Sequence, residues 1–315
     1  MLSTALIILP IFLIILAGYL SRKAGLLGDP ASRELNRFVV WLALPCLMFD
    51  VVATTDWRAV WHPGFVAASL IGSFLVFAAG LLAGKARGLS LADMSVDGLN
   101  ASYSNSAYIG LPLMFLIFGE ASRPFVVIAA TLTLMMLFAA GIILIEIAQH
   151  SGHKSHIVLG KVTKSILRNP IVMSPLAGLA WWLTGLPLPQ PVDTFVSLLG
   201  TAASPVALVA IGLFLAARPI KKAAAHPSVL ALAAIKLLAH PAITAVLAFF
   251  ILQLPDRIAV MAITIAALPT GTGPFMVTEF YARDGKVTSG AIFLSTVLSV
   301  LTITAILTLL GQGVP

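Results

Sequence analysis

Apolar stretches long enough to cross a bilayer recur along the whole chain, separated by short charged gaps. A helix needs about 20 apolar residues to span the hydrocarbon core. Only 10% of the residues are charged, against roughly 25% in an average soluble domain. The sequence therefore predicts an all-α membrane protein with ten spans, at residues 3–20, 36–53, 63–84, 95–118, 125–147, 169–186, 194–216, 228–252, 258–280 and 288–310.

The positions of the Lys and Arg residues predict the orientation of these spans. Of 19 such residues, 15 fall in loops on one side of the predicted membrane and three fall on the other, with Lys236 alone inside a span. Because basic loops face the cytoplasm, both termini are expected on the periplasmic side of a bacterial inner membrane. The net charge of +7 thus reflects topology, and no nucleic-acid partner is expected.

The ten spans divide into two sets of five. The prediction is a first repeat at residues 1–148, a cytoplasmic linker at 149–168 and a second repeat at 169–315. Because each repeat has an odd number of spans, related halves must have opposite orientations, which is an inverted repeat.

Spans 4 and 9 each carry a polar interruption at a corresponding place. Broken spans in this arrangement mark the binding site of many secondary transporters. Each proline suits the first turn of a new half-helix, and two helix N-termini that meet at mid-membrane form an anion site. The alternative is that both prolines only kink packed helices. The candidate substrate-binding residues are Asn105, Tyr108, Gly110 and Pro112 in span 4, and Thr270, Gly271, Thr272, Gly273 and Pro274 in span 9.

Five motifs are distributed along nearly the whole chain. They are Ile8-Leu-Pro10 through Gly18-Tyr19-Leu20, Asn105 through Gly110-Leu-Pro112-Leu, Ser204-Pro205 through Gly212-Leu-Phe-Leu, Lys236-Leu-Leu-Ala-His240-Pro241, and Ala267-Leu-Pro269 through Pro274-Phe275. Together they resemble the auxin efflux carrier family. That family includes the plant PIN-type carriers and bacterial permeases described as malonate or other organic-anion transporters. The chain lacks the long cytoplasmic loop of the longer plant carriers and is similar to the bacterial members.

The resemblance implies a fold similar to sodium/proton antiporters and bile acid symporters, with broken crossover helices in spans 4 and 9. Spans 1, 2, 6 and 7 would form a scaffold, through which a homodimer is conceivable, and spans 3–5 and 8–10 an elevator-like transport domain. Asn105 aligns with an asparagine that the plant carriers place at the crossing. The scaffold residues expected to face it are Pro45, Met48 and Pro205.

Four charged or titratable residues are candidates for charge balance or coupling. Lys236 either balances an organic anion and titrates during transport, or extends its side chain to the membrane surface. His240 lies on the same helical face and either carries a proton or packs inside the protein. Asp97 and Glu279 are either coupling groups or paired and hydrated carboxylates. The crossing itself holds no acid, so proton, sodium and membrane potential all stay open as driving forces.

The function predicted is secondary active transport of a small organic anion, malonate-, dicarboxylate- or auxin-like, by alternating access. Both directions of transport remain open, as does the oligomeric state. A channel or membrane sensor for organic anions on the same fold is the alternative. No metal-ligand cluster, dinucleotide loop or catalytic motif is predicted, so the sequence suggests no enzyme and no cofactor beyond a coupling ion.

Overall fold

Helices form all the regular secondary structure in the part of the chain that the computed structural model describes, residues 2–149, 167, 170–217 and 226–311. The all-α prediction is confirmed for these residues. Six of their helices are long and apolar enough to cross a membrane and match predicted spans 2, 3, 5, 7, 8 and 10. The protein is therefore a multi-pass membrane protein, while ten crossings in two inverted repeats stay a prediction. These six are Pro30–Thr54, Pro63–Ala86, Glu120–Gln149, Gln190–Ala216, Pro227–Ile251 and Lys286–Leu309.

The chain divides into two compact units. Unit 1 comprises Met1–Ile7, His62–Val162 and Ile220–Pro315, and unit 2 comprises Ile8–Trp61 and Thr163–Pro219. Each unit takes segments from both halves of the sequence, so neither half is a compact body by itself. The predicted linker at 149–168 lies outside the described residues except for its first residue and Leu167.

Unit 2 is a bundle held by close helix crossings. An added Cβ at Gly178 would lie 2.7 Å from the Phe49 carbonyl oxygen, and one at Gly200 would lie 3.0 Å from the Cα of Leu47. Small residues permit such close backbone approach between membrane helices. The helices are α1 (Leu2–Lys23), α2 (Asp29–Phe38), which continues through a π turn (Val39–Ala43) into α3 (Leu44–Thr54), then α4 (Trp57–Val60), α10 (Pro170–Leu183) and α11 (Gln190–Ala216).

Unit 1 contains the two interrupted segments. Its helices before residue 150 are α5 (Pro63–Ala86), α6 (Leu91–Ser102), a π turn (Ser106–Gly110) leading into α7 (Leu111–Phe118), a 3-10 turn (Glu120–Ser122), α8 (Arg123–Leu132), a π turn (Thr133–Phe138) and α9 (Ala139–Gln149). Later come α12 (Pro227–Ala234), a π turn (Ile235–Ala239), α13 (His240–Ala245), a π turn (Val246–Ile251), α14 (Asp256–Ala266), α15 (Gly273–Phe280) and α16 (Lys286–Leu309).

Prolines account for three of the π turns. A proline inside an α-helix has no N–H to donate, and its ring crowds the carbonyl four residues earlier. Widening the preceding turn relieves this crowding, and in each case the residue before the proline donates to the carbonyl five residues back. The three pairs are Val39–Ala43 before Pro45, Ser106–Gly110 before Pro112, and Ile235–Ala239 before Pro241.

Helices α5 and α6 pack closely and fix the position of the first interruption. An added Cβ at Gly80 would lie 2.7 Å from the Asp97 carbonyl oxygen, and one at Gly98 would lie 2.8 Å from the Phe77 ring. Any side chain at either glycine would force the helices apart. Because α6 is held so tightly, its C-terminal end at Ser102 has a defined place in unit 1.

Candidate functional site

The two interruptions lie side by side. Helix α6 ends at Ser102 and helical structure resumes at Ser106; α14 ends at Ala266 and α15 begins at Gly273. We call residues 103–105 the first interruption and residues 267–272 the second. They run antiparallel, with Ser104 paired to Thr270. The prediction that spans 4 and 9 are broken helices is confirmed within unit 1.

Backbone hydrogen bonds join the two interruptions. The Asn105 N–H donates to the Pro269 carbonyl at 2.9 Å, and the Gly271 N–H donates to the Tyr103 carbonyl, also at 2.9 Å. Non-helical backbone at membrane depth must have its hydrogen bonds satisfied by protein or by a water-filled cavity. Here each broken segment satisfies part of the other.

The two prolines have different roles. Pro274 lies in the first turn of α15, as predicted. Pro112 also lies in the first turn of its α-helix, α7, but helical structure begins earlier, because a π turn at Ser106–Gly110 leads into α7. The π turn permits this longer half-helix, since Leu111 donates to the Ser106 carbonyl and bypasses the proline.

Both half-helices begin with amide groups that lack acceptors. No acceptor exists among the described residues for the backbone N–H of Ala107, Thr272 or Gly273. Asn105 occupies the cap position of the first half-helix, yet its side chain forms no capping hydrogen bond. Its Nδ2 is buried and has no acceptor among the described residues. A capping asparagine accepts a backbone N–H through its side-chain oxygen, so the missing cap and the unpaired Nδ2 are separate features, and the Nδ2 donor is available to another group.

The remaining polar candidates differ in what their side chains contact. Thr270 stabilises the fold, because its N–H donates to Ser295 Oγ at 3.1 Å and its hydroxyl donates to the Asn100 carbonyl at 2.8 Å. The Tyr108 hydroxyl is within hydrogen-bonding reach of the Thr272 side chain. Thr270 therefore supports the second interruption, while the Tyr108 and Thr272 side chains lie at the ends of the half-helices.

The predicted glycines allow the segments to approach. An added Cβ at Gly271 would lie 2.8 Å from the Tyr103 ring, and one at Gly273 would lie 2.5 Å from its Cζ. At Gly110 the same atom would meet Leu268 Cδ1 at 2.8 Å. Gly271 in the second interruption and Gly273 at the start of α15 thus form the surface on which the Tyr103 ring packs.

Lys236 and His240 form a buried pair beside the second interruption. Lys236 has an exposed fraction of 0%. Its Nζ donates to the Ala266 carbonyl at 2.6 Å and lies 3.1 Å from His240 Nδ1. Because the side chain ends inside the protein, the structure contradicts the second of the two alternatives for Lys236, extension to the membrane surface. Ala266 is the last residue of α14, so the lysine lies at the negative end of that helix dipole.

A small cavity touches both His240 and the first interruption. His240, Ala266 and Ser104 all line it, and it holds on the order of one water molecule. The Ser104 and Thr244 hydroxyls are buried and have no hydrogen-bond partner among the described residues. The remaining lining residues are Ser69, Leu70, Ser73, Ala129, Leu132, Thr133, Leu137, Ala262 and Ile265.

The carboxylates near the crossing are paired at the edge of unit 1. Asp97 forms an ion pair with Arg87, and burial lowers the pKa of that guanidinium. Asp93 accepts from Arg283 Nε at 2.8 Å. Burial alone would raise the pKa of Asp93, but hydrogen bonds from Arg283 and Ser90 and the arginine charge outweigh it and lower the pKa. The side chain of Glu279 lies outside what the structure describes.

Comparison with known proteins shows the family. The model of a family described as "Membrane transport protein" matches residues 5–307. A protein of Rhizobium meliloti named "Putative malonate transporter" is 32% identical over 98% of this chain and 96% of its own length. The chain belongs to this membrane transport protein family, which is the auxin efflux carrier family. The resemblance seen in the sequence motifs is confirmed.

More distant relatives share part of the chain. An "Uncharacterized transporter" of Methanothermobacter thermautotrophicus is 26% identical over 71% of this chain and 72% of its own length. The "Lysosomal cholesterol signaling protein" of Mus musculus is also 26% identical, over 69% of this chain but only 26% of its own length. The chain therefore matches about a quarter of that longer protein.

Three predicted site residues of this family member lie in unit 2. Pro45 is the second residue of α3, Met48 is buried on the same helix, and Pro205 lies within α11. Their predicted place opposite the crossing stays a prediction.

The sequence reasoning missed several residues that build the crossing. Tyr103 packs on the glycines, Ser104 forms the backbone pairing, and Asn100 donates through Nδ2 to Thr288 Oγ1 at 3.0 Å. A signal for the last contact was present. Thr288 and Ser295 lie two helical turns apart on a largely apolar helix that carries further hydroxyl residues.

Proposed function

We propose that this membrane transport family member moves a small organic anion across the membrane, bound where the two interruptions meet. The observation that carries the proposal is the set of donors at the crossing that have no acceptor among the described residues: the buried Asn105 Nδ2 and the N–H groups of Ala107, Thr272 and Gly273. These donors point to a ligand rich in acceptors. The free N–H groups at helix N-termini favour a negatively charged one.

The surrounding charges also favour an anion. Among the described residues, the crossing holds no carboxylate, because Asp93 and Asp97 pair with arginines at the edge of the unit. The nearest charge-bearing side chain is Lys236. A carboxylate ligand would accept from the amides without facing a like charge. The name of the Rhizobium meliloti relative supports malonate, a small dicarboxylate, as the first substrate to test.

The two compact units support an elevator-type mechanism. All of the free donors lie in unit 1, together with the contacts that hold the two interruptions in register. Such a unit can carry its ligand as one body, with unit 2 as the scaffold. Alternating access by this movement, with an inner-membrane location and periplasmic termini, completes the proposal.

The test is flux of labelled malonate into liposomes that contain the full chain. A transporter predicts saturable uptake that speeds up when unlabelled malonate is inside. Malate, succinate, pyruvate and indole-3-acetate as competitors define the substrate class. Linear uptake without stimulation from the opposite side identifies a channel, and binding without flux identifies a sensor.

Asn105→Ala is the decisive variant in this assay, because it removes a side-chain donor, Nδ2, that has no hydrogen-bond acceptor among the described residues. We expect at least a tenfold loss of saturable uptake while the chain still inserts and folds. Asn36→Ala, the same substitution in α2 of unit 2, is the matched control and is expected to transport normally. Wild-type kinetics for Asn105→Ala would remove the crossing from the proposal.

A further inference from the structure

The Lys236–His240 pair contains a mismatch between donors and acceptors. A neutral lysine amine has two N–H donors, whereas an ammonium has three. Two acceptors are present, the Ala266 carbonyl at 2.6 Å and His240 Nδ1 at 3.1 Å. With Nδ1 as acceptor, the other ring nitrogen carries the hydrogen and faces Ser73 Oγ at 3.4 Å. The neutral amine therefore has all of its N–H groups paired, and the ammonium leaves one unpaired.

Among the residues that the structure describes, no fixed negative charge lies near the pair to offset an ammonium. The helices and turns packed against Lys236 and His240 are α5, α6, α12, α14, α16 and the π turn and helix that carry the two residues. Their carboxylates are all elsewhere: Asp93 and Asp97 pair with Arg283 and Arg87, and Asp256 starts α14 at the far end from Ala266. Their other titratable residues, His62, Lys85, Arg257 and Lys286, make no contact with the pair.

Two features nevertheless prepare this position for a positive charge. The Ala266 carbonyl terminates α14, so the helix dipole contributes partial negative charge at the Nζ atom. A cavity about the size of one water molecule is lined by both His240 and Ser104 of the first interruption. An anion at the crossing would supply negative charge that the described residues around the pair do not provide. This arrangement suits a neutral amine without a ligand and an ammonium with one.

We propose that Lys236, assisted by His240, takes up one proton when an organic anion binds at the crossing, so that the anion is transported together with a proton. The proton comes from solvent and adds to the lone pair of Nζ, and no other bond forms or breaks. On release of the anion the ammonium returns the proton. This inference rests on the proposed function and identifies its coupling ion.

Proton uptake on binding has a measurable sign. Because the bound state holds more protons than the free state, affinity must fall as the pH rises. One proton per anion corresponds to a dissociation constant that rises about tenfold per pH unit. A monocarboxylate would then cross without net charge, and a dicarboxylate dianion would carry one negative charge.

The proton count is measured by calorimetric titration of the purified full chain with malonate near neutral pH. Two buffers with different ionisation enthalpies, phosphate and Tris, report the protons taken up. We expect about one proton per anion for wild type and about none for Lys236→Gln, whose affinity should be weaker and independent of pH. Lys85→Gln, at the exposed end of α5, is the matched control and should behave as wild type.

The outcomes separate this inference from the proposed function. Malonate binding by wild type with no proton uptake overturns the inference and leaves the proposed function in place. Uptake of a proton by Lys236→Gln removes Lys236 from the role. If wild type neither binds nor exchanges any of the tested anions, both fall together.

A second measurement covers the case in which Lys236→Gln does not fold. Wild-type liposomes are held at zero membrane potential with equal potassium on both sides and valinomycin. An acidic exterior should then drive several-fold accumulation of malonate, and a protonophore should abolish it. Exchange of labelled for unlabelled malonate without such accumulation would overturn the inference.

Discussion

The two interruptions have similar backbones but different supports. In the first, residues 103–105, helix α6 ends beside neutral groups, and the Asn100 carbonyl near its end accepts from the Thr270 hydroxyl. Before the second, residues 267–272, the Ala266 carbonyl at the end of helix α14 accepts a hydrogen bond from Lys236 Nζ. One crossing therefore combines a neutral half with a half that carries a titratable base. In the proposed mechanism, this difference lets one site bind an anion and take up a proton.

The largest expected effect compares one glycine from each of the two half-helices, Gly273 and Gly110. A Cβ at Gly273 would meet the face of the Tyr103 ring, which is itself confined by Phe138. A Cβ at Gly110 would meet only the end of the Leu268 side chain, which can rotate away. We expect Gly273→Ala to lower the free energy of unfolding by about 2–3 kcal/mol and Gly110→Ala by less. Thermal unfolding in detergent measures both, and equal losses would contradict the difference in rigidity.

The next effect compares two asparagines, Asn100 just before the first interruption and Asn105 at its last residue. Asn100 has a buried hydrogen bond to Thr288, whereas the Asn105 side-chain amide has no partner. Asn100→Ala should therefore lower the free energy of unfolding by about 1–3 kcal/mol, and Asn105→Ala should leave it nearly unchanged. The measurement is chemical or thermal unfolding of both variants. A destabilised Asn105→Ala would mean that this amide has a structural partner.

A smaller effect compares the paired residues Ser104 and Thr270. The Thr270 hydroxyl donates to the Asn100 carbonyl, and the Ser104 hydroxyl is buried without a partner. Thr270→Val keeps the shape but loses the bond, and should cost about 1 kcal/mol of unfolding free energy. Ser104→Ala should cost almost nothing. If Ser104→Ala were the more harmful of the two, the serine hydroxyl would have a bound partner in the cavity.

The smallest effect concerns Asp93 at the start of α6. Burial alone would raise its pKa, but hydrogen bonds from Arg283 and Ser90 and the arginine charge hold it below the usual value of an aspartate. The stabilisation is therefore present above about pH 4 and is lost as the pH falls through the lowered pKa. Arg283→Gln should cost no more than about 1 kcal/mol near neutral pH, because both groups are partly exposed. The difference between variant and wild type should shrink in acid, and a constant difference would contradict the assignment.

The sequence predicted where the helices break but not how the broken ends are supported. Proline, glycine and asparagine within apolar segments indicated both interruptions, and Pro274 begins its half-helix as expected. Pro112 lies in the first turn of α7, but a π turn lets helical structure start six residues before the proline. A proline is compatible both with a helix start and with a π turn before it, so the residue type alone does not decide between them.

The contacts of Lys236 illustrate a second limit. Its main partner is the backbone carbonyl of Ala266, 30 residues away. Every residue has a carbonyl group, so no residue type indicates which one will accept from a lysine. The sequence therefore identified Lys236 and His240 as unusual and left their environment open. The position of the C-terminal end of α14, which the fold determines, decides whether the Lys236 side chain is buried beside His240 or reaches the membrane surface.

The central claim is that both interruptions together bind an anion, and amide hydrogen exchange tests it most directly. Exchange of the purified chain is measured with and without saturating malonate. The account predicts slower exchange at Ala107, Thr272 and Gly273, the backbone amides that lack acceptors in the structure, with the effect reduced in Asn105→Ala. Protection confined to peptides far from both interruptions, or to only one of them, would contradict it.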